Sequence, residues 1–137
     1  TQRVDSFDAY CQACAESPAD VGIFSAAVAD YQLSQRHHGK LPSGQDELKL
    51  TLVPTQKVVS EWRKTHPDSK LISFKLEAGL SDQELIDVAR ARVGAHSDLV
   101  VANHASGGEL LLVGESDEQR VERQQLGRKL VAWVARR

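Results

Sequence analysis

The run Asp98-Leu99-Val100-Val101-Ala102 (DLVVA, residues 98–102) is the most strongly apolar of the strand-like segments in this chain. A short apolar run without polar alternation is typical of a strand that is covered on both faces, as in a parallel sheet. It therefore predicts the central strand of a sheet, ended by Asn103.

Segments on both sides of this run alternate between strand and helix patterns. Ser81 and Glu84 stand three residues apart before an apolar-periodic segment that extends to about Val93, which is the sequence pattern of a capping box. We predict further strands at 20–25, 48–52, 70–76 and 109–113, helices at 6–16, 55–65 and 117–135, and a polar loop at 32–47. This order predicts an α/β protein, a three-layer α/β/α fold with a mainly parallel sheet plus a small antiparallel β-segment, as a single domain over residues 1–137.

The last predicted helix has one apolar side. We expect that side to be buried, and it consists of Leu126, Leu130, Val131, Trp133 and Val134. Arg136 and Arg137 follow it, where cationic side chains interact favourably with the helix dipole.

Composition narrows the possible partners. The chain has 137 residues, 41% of them hydrophobic and 26% charged, with a formal net charge of -2. This charge gives no general attraction to nucleic acid or to an anionic membrane. The sequence has no apolar run near the ~20 residues that cross a bilayer, and it opens without a secretory leader, so we expect a cytoplasmic protein. It has no Met, which suggests a processed chain or part of a longer one.

Cys11 and Cys14 form a Cys-x-x-Cys pair, which suits a redox dithiol or half of a zinc site. However, Phe7, Tyr10 and both cysteines recur at helical spacing on one apolar face. The sequence has no other cysteine to complete a zinc site. Buried packing is therefore the favoured interpretation, and a redox role is the alternative.

The turn Ala26-Ala27-Val28-Ala29-Asp30-Tyr31 follows the predicted strand at 20–25 and has little side-chain bulk. Ala26 and Ala27 let a ligand approach the backbone, and Asp30 accepts hydrogen bonds from hydroxyl or amide groups. Equally, small residues permit tight packing while Asp30 caps a turn. Spacing alone leaves both interpretations open.

Ligands of parallel α/β sheets bind at the carboxyl ends of the strands. The predicted ends here are 25–27, 74–75 and 102–103. Asn103 suits a ligand amide, phosphate or base edge, but it also suits a turn. Phe74 could stack on a base, although strand alternation favours packing in the core.

The polar loop adds weaker candidates. Lys40 could reach a phosphate. His37 and His38 could bind a metal, but adjacent histidines without acidic neighbours favour solvated side chains. None of the common catalytic motifs of hydrolases, zinc proteases or P-loop enzymes is present in the sequence.

Five motifs together resemble the phosphopantothenoylcysteine synthetase (phosphopantothenate–cysteine ligase) family. They are AAVADY at 26–31, Gly39-Lys40-Leu41, LKLTLVPT at 48–55, SFKLE at 73–77 and VVAN at 100–103, in the order of the family. The resemblance covers about residues 5–115. It implies a Rossmann-like fold. The SFKLE segment looks more like the stand-alone enzymes than the version fused to a flavin-dependent decarboxylase, and no flavin is expected in this domain.

The resemblance also implies a function, the joining of 4′-phosphopantothenate to L-cysteine in coenzyme A biosynthesis. A nucleoside triphosphate, CTP or ATP, would activate the carboxylate as an acyl-nucleotidylate with Mg²⁺. Ala26, Ala27 and Asp30 would bind the pantothenate moiety, while Phe74, Asn103 and Lys40 would contact the nucleotide. A homodimer is expected by the same resemblance. The resemblance gives no catalytic residue.

The sequence departs from the family pattern in three places. The Gly-rich nucleotide-binding half that opens the family is missing. Arg90 and Arg92 stand where the family often has a lysine, and we expect them to serve as phosphate ligands in its place. The segment that covers the site is reduced to residues 104–108. These departures keep open the alternative of a catalytically inactive α/β binding or assembly module.

Overall fold

The computed structural model describes residues 1–35, 39–41, 43–44 and 46–136. In this part of the chain the helices are α1 (Phe7–Glu16), α2 (Val58–Thr65), α3 (Asp82–Arg90) and α4 (Leu126–Val134). The strands are β1 (Val21–Phe24), β2 (Tyr31–Leu33), β3 (Leu52–Pro54), β4 (Lys70–Glu77), β5 (Leu99–His104), β6 (Leu110–Val113) and β7 (Glu118–Val121). A 3₁₀ turn at Arg123–Gln125 precedes α4.

The chain divides into two compact units. The larger unit comprises Thr1–Ala26 and Val58–Arg137, and the smaller unit comprises Ala27–Lys57. The single-domain assignment stays a prediction.

The larger unit contains a five-stranded sheet in the order β1-β4-β5-β6-β7. β1, β4 and β5 run parallel, whereas β6 and β7 pair antiparallel at the far side. The DLVVA run lies in the middle strand and Val100 to Ala102 are fully buried, so the predicted central position is confirmed. The strand continues through Asn103 to His104, and the expectation that Asn103 ends it is wrong.

Helices cover both faces of this sheet. Alternate residues of β5 pack into the hydrophobic core on one face or on the other. Leu99 and Val101 pack with Leu130 of α4, and Val100 and Ala102 pack with Leu85 of α3. We call these sides the α4 face and the α3 face. The predicted three-layer α/β/α class is confirmed.

The capping box at the start of α3 forms as the sequence predicts. Ser81 Oγ accepts the Glu84 backbone N–H, and the Glu84 carboxylate accepts the Ser81 N–H at 2.8 Å. The hydrogen bonds that the Ser81 backbone N–H and the Ser81 hydroxyl donate to this carboxylate hold the pKa of Glu84 below its ordinary value. The helix buries Leu85, Ile86 and Ala89, but it ends at Arg90, three residues before the predicted end.

The smaller unit contains an antiparallel ribbon of β2 and β3, which we call the β-ribbon. It provides the predicted antiparallel β-segment, but with different boundaries. Residues 48–51, predicted to begin a strand, are not in a strand. The first two residues of the loop predicted at 32–47 belong to β2. The alternating leucines at 48, 50 and 52 are all exposed, so their period-2 pattern does not mark a core face here.

The region 117–135 departs most from expectation, because its first part is a strand. β7 hydrogen-bonds to β6 across a turn in which the Gly114 N–H donates to Asp117 O at 2.9 Å. The helix α4 starts only at Leu126, and Val131, predicted to be buried, is exposed.

The Ser6-capped helix α1 is confirmed, but Cys11 and Cys14 are half-buried rather than buried. Among the described strands, β1 lies at the edge of the sheet. Arg137, like His37 and His38, falls outside the described residues.

Candidate functional site

Three parallel strands of the larger unit end at one edge of the sheet. β1 ends at Phe24, β4 at Glu77 and β5 at His104, and we call this side of the sheet the carboxyl edge. The Ala105 N–H donates to Glu77 O at 2.7 Å and ties the ends of β4 and β5 together. Ligands of α/β sheets bind at such edges.

Phe74 and Asn103, both predicted from the sequence, lie on the α4 face near this edge. Phe74 is paired with Val101 and is partly buried against the core there. Asn103 is paired with Leu76 and is half-buried, and no described residue hydrogen-bonds to its side-chain amide. Leu76 is exposed although it is apolar. This side of the carboxyl edge therefore presents an aromatic ring, an apolar side chain and an amide that is available to a ligand.

The α3 face of the same edge is charged. Lys75 Nζ lies 2.5 Å from Glu77 Oε1, and both side chains are half-buried. The hydrogen bond and the charge of Lys75 lower the pKa of Glu77. The charge of Arg92 lowers it further, by a smaller amount. Arg92 is therefore within electrostatic reach of the Glu77 carboxylate.

A second charged cluster on the α3 face joins three elements. His104 Nε2 lies 2.7 Å from Asp82 Oδ1, and Arg120 from β7 lies 2.5 Å from Asp82 Oδ2. The bond from His104 is the main cause that lowers the pKa of Asp82, and the bond from Arg120 is the next. Sequence reasoning missed this cluster because its members are 16 to 38 positions apart, and only the position of His104 directly after Asn103 was a signal.

Arg90 lies at the opposite edge of the sheet. Its guanidinium pairs with the Glu118 carboxylate and donates to Glu115 O. Glu118 is paired with Val113, which is paired with Val100 at the start of β5. The structure therefore does not bring Arg90 together with Phe74 and Asn103, and its guanidinium already has protein partners.

The turn with the predicted pantothenate residues crosses the boundary between the units. Ala26 ends one segment of the larger unit, and Ala27 begins the smaller one. The smaller unit holds its part of the turn firmly, because Thr55 Oγ1 donates to Ala29 O at 2.6 Å and the Thr55 N–H donates to Asp30 O at 2.9 Å. The Asp30 carboxylate pairs with Lys57, a residue that sequence reasoning did not single out.

Lys40 is exposed in the smaller unit. No group of three or more metal-ligating side chains occurs among the residues that the structure describes. The same ranges contain no helix that is long and apolar enough to cross a membrane. Burial raises the pKa of the Cys11 thiol, and the charge of Cys14 raises it further. A raised pKa reduces the thiolate fraction and with it the reactivity expected of a redox cysteine.

The fold and the carboxyl edge define a Rossmann-like three-layer α/β domain. The family model described as "DNA/pantothenate metabolism flavoprotein C-terminal domain" matches residues 1–132. The chain belongs to this family, that of the phosphopantothenoylcysteine synthetase domain, and the resemblance drawn from the five motifs is confirmed.

Curated relatives agree with this assignment. The "Coenzyme A biosynthesis bifunctional protein CoaBC" of Thermococcus kodakarensis is 38% identical over 110 residues, covering 76% of this chain and 27% of the relative. The protein of the same name from Methanocaldococcus jannaschii is 36% identical over 88 residues, covering 64% of this chain and 21% of the relative. The chain thus spans about a quarter of the length of these relatives.

Solved structures share the fold. The DNA/pantothenate metabolism flavoprotein from Streptococcus pneumoniae superposes with a TM-score of 0.84 at 22% identity, covering 96% of this chain and 72% of that one. A Cab2 mutant in complex with phosphopantothenate-cysteine matches with a TM-score of 0.50 at 18% identity, covering 63% of this chain and 32% of that one. At these identities the likeness establishes the fold.

Proposed function

We propose that the chain is part of a cytoplasmic ligase of coenzyme A biosynthesis, which joins 4′-phosphopantothenate to L-cysteine through an acyl-nucleotidylate. Its share of the enzyme is the pantothenate pocket and part of the nucleotide site. The observation that carries the proposal is the family match over residues 1–132, together with a relative named for coenzyme A biosynthesis at 38% identity.

In this proposal Ala26, Ala27 and Asp30 bind the pantothenate moiety. The two bonds from Thr55 support it, because they fix the backbone on which Asp30 stands. Asp30 and Lys57 are both largely exposed, and exposed ion pairs contribute only ~0–1 kcal/mol. A ligand hydroxyl or amide can therefore replace Lys57 at the carboxylate with little loss.

The nucleotide is assigned to Phe74, Asn103 and Lys40. The available amide of Asn103 and the partly exposed ring of Phe74 support the assignment, because a base needs a stacking surface and a paired donor and acceptor. Arg92 stays a phosphate candidate, since its charge is felt by the Glu77 carboxylate at the end of β4. Arg90 is not included, since Glu118 already neutralises it at the other edge.

The proposed chemistry has two half-reactions. The carboxylate of 4′-phosphopantothenate attacks the α-phosphate of CTP or ATP and releases pyrophosphate, and the cysteine amine then displaces the nucleoside monophosphate. Mg²⁺ prefers one or two carboxylates plus substrate phosphates. The described residues supply no protein-only metal site, so the ion would enter as part of the magnesium–nucleotide substrate. The domain would align the acyl group and the phosphate, which is the main route by which such sites accelerate transfer.

A homodimer is part of the proposal and is supported by the β-ribbon. Two-stranded ribbons are at best marginally stable in water. Tyr31 and Leu33 of β2 and Leu52 of β3 share one face of the ribbon, and all three side chains are about half exposed. Apolar side chains at the centre of a homodimer interface are buried by the partner.

An inactive binding or assembly module is the second candidate. The pairings of Arg90 with Glu118 and of Asp30 with Lys57 favour it, because both groups already have partners within the protein. Such a module would bind a ligand without turning it over.

Calorimetric titration and product analysis test the proposal. The longest gene product that contains this chain is titrated with 4′-phosphopantothenate and with magnesium CTP or ATP, and the amide product is followed by mass spectrometry. We expect Asp30→Asn to weaken 4′-phosphopantothenate binding by roughly 10-fold, because hydrogen bonds to charged groups contribute ~1.5–3 kcal/mol. Asp46→Asn, an exposed acid in the same unit, is the matched control.

Binding without amide formation would support the inactive module. If neither 4′-phosphopantothenate nor the nucleotides bind, the proposal is wrong.

A further inference from the structure

The histidine at the end of β5 has a fixed proton arrangement. His104 Nε2 lies 2.7 Å from the Asp82 carboxylate, which accepts hydrogen bonds and cannot donate them when ionised. Nε2 therefore carries a proton, and in the neutral ring Nδ1 is left with a free lone pair. No described residue hydrogen-bonds to Nδ1, and the side chain is 19% exposed, so an incoming group can reach it.

Two features hold Asp82 itself in place. Ser81 caps α3 directly before it, and Arg120 of β7 contacts its second oxygen at 2.5 Å. A carboxylate fixed on two sides holds the imidazole in one orientation and one tautomer. This is the structural requirement for a general base, namely a proton acceptor that is oriented by a third group.

The surroundings of His104 also place it at the carboxyl edge. On β4 its neighbour on the same face is Glu77, which Lys75 neutralises. On β5 it follows Asn103, whose side chain lies on the opposite face of the sheet. A ligand that lies across the edge would meet Asn103 on one side and His104 on the other.

We propose that His104 is the general base of the amide-forming half-reaction and that Asp82 is its positioning residue. This inference rests on the proposed function. The cysteine amine attacks the acyl carbon, and a C–N bond forms. The C–O bond to the nucleotide breaks, and its electron pair leaves on the phosphate oxygen of the nucleoside monophosphate. One N–H proton passes to Nδ1 of His104 and from there to water.

The test separates the two half-reactions in the longest gene product that contains this chain. The first is followed as pyrophosphate release from CTP or ATP with 4′-phosphopantothenate and without cysteine. The second is followed as amide formation in a single turnover after cysteine is added. We expect His104→Gln to leave the first within about twofold and to slow the second on the order of 10²-fold, the usual contribution of a general base.

Three further measurements distinguish a base from a structural ion pair. Free imidazole is expected to restore amide formation to His104→Ala, and hydroxylamine, which needs less help from a base, is expected to trap the acyl group equally well in wild type and variant. Asp82→Asn is expected to slow amide formation more than Arg120→Gln does, because only the former replaces the charged acceptor of Nε2 with a neutral amide, whose NH2 group can also turn toward the ring. His96→Gln, a histidine that contacts Ser60 rather than this cluster, is the matched control.

The outcomes are separable. Wild-type rates of amide formation in His104→Gln, or equal slowing of both half-reactions without rescue by imidazole, would overturn the role of His104 and leave the ligase proposal intact. A wild-type protein that releases no pyrophosphate with either nucleotide and forms no amide would overturn the proposed function and this inference with it.

Discussion

Arg63 and Asp98 form an ion pair of 2.6 Å between α2 and the start of β5. The same Asp98 oxygen accepts the backbone N–H of Leu71 at 2.6 Å, and Arg63 also donates to Ser69 O at 2.7 Å. This one carboxylate therefore connects a helix to two neighbouring parallel strands, at the edge opposite the candidate site.

Replacing this carboxylate should destabilise the fold. We expect Asp98→Ala to lower the free energy of unfolding by roughly 1–3 kcal/mol, because the N–H of the buried Leu71 loses its acceptor and Arg63 loses its carboxylate partner. Urea denaturation measures the change. Asp5→Ala breaks the exposed Arg3–Asp5 pair and should cost less than ~0.5 kcal/mol. Equal losses in the two variants would contradict this assignment.

Stability should depend on pH through Asp82. Its pKa is lowered by His104 and then by Arg120, so its contribution is complete above the unfolded-state pKa of about 4 and is lost as the pH falls through the lower folded-state pKa. We expect the difference in urea midpoint between wild type and Asp82→Asn to shrink as the pH falls below that window. Arg120→Gln should remove part of the effect. A difference that stays constant through the acid range would show that Asp82 makes no such contribution.

Gly22 is required where β1 passes beneath Trp62. A Cβ at this position would lie 2.9 Å from two atoms of the indole and from the Phe24 ring, and Trp62 is only 3% exposed, so it has little room to move. We expect Gly22→Ala to cost about 1–3 kcal/mol by overpacking. In Gly127→Ala the new methyl group meets nothing within 4 Å in a helix, and stability should rise by ~0.5 kcal/mol. Thermal or urea unfolding of the pair checks both signs, and a loss in both would contradict the explanation.

The β-ribbon should control the oligomeric state. We expect Leu52→Glu, on the face shared with Tyr31 and Leu33, to convert the proposed dimer to a monomer in sedimentation velocity experiments, because a charge would replace buried apolar area. Gln32→Glu, on the other face, should leave the dimer intact. If the wild type is a monomer, or if the two variants have equal effects, the β-ribbon does not form a dimer interface.

Much of the fold could be predicted because its signals are local. The capping box of α3 involves residues three positions apart, and the apolar runs of β4 and β5 identify buried strands without knowledge of their partners. The five family motifs are likewise contiguous in sequence. Of the candidate site residues, Phe74 and Asn103 lie on adjacent strands near the carboxyl edge, as predicted, because parallel strands in such sheets end at a common edge.

The sequence by itself determined the α/β class, the central strand and the family. The tertiary structure alone decided whether residues 118–121 form a strand, because Glu-Gln-Arg-Val has no apolar alternation and gains its structure from hydrogen bonds to β6. It likewise decided that Arg90 is bound to Glu118 and that His104, Asp82 and Arg120 meet. Such pairs depend on which strands are neighbours, and neighbouring strands are selected by the burial of the whole core rather than by any short stretch of chain.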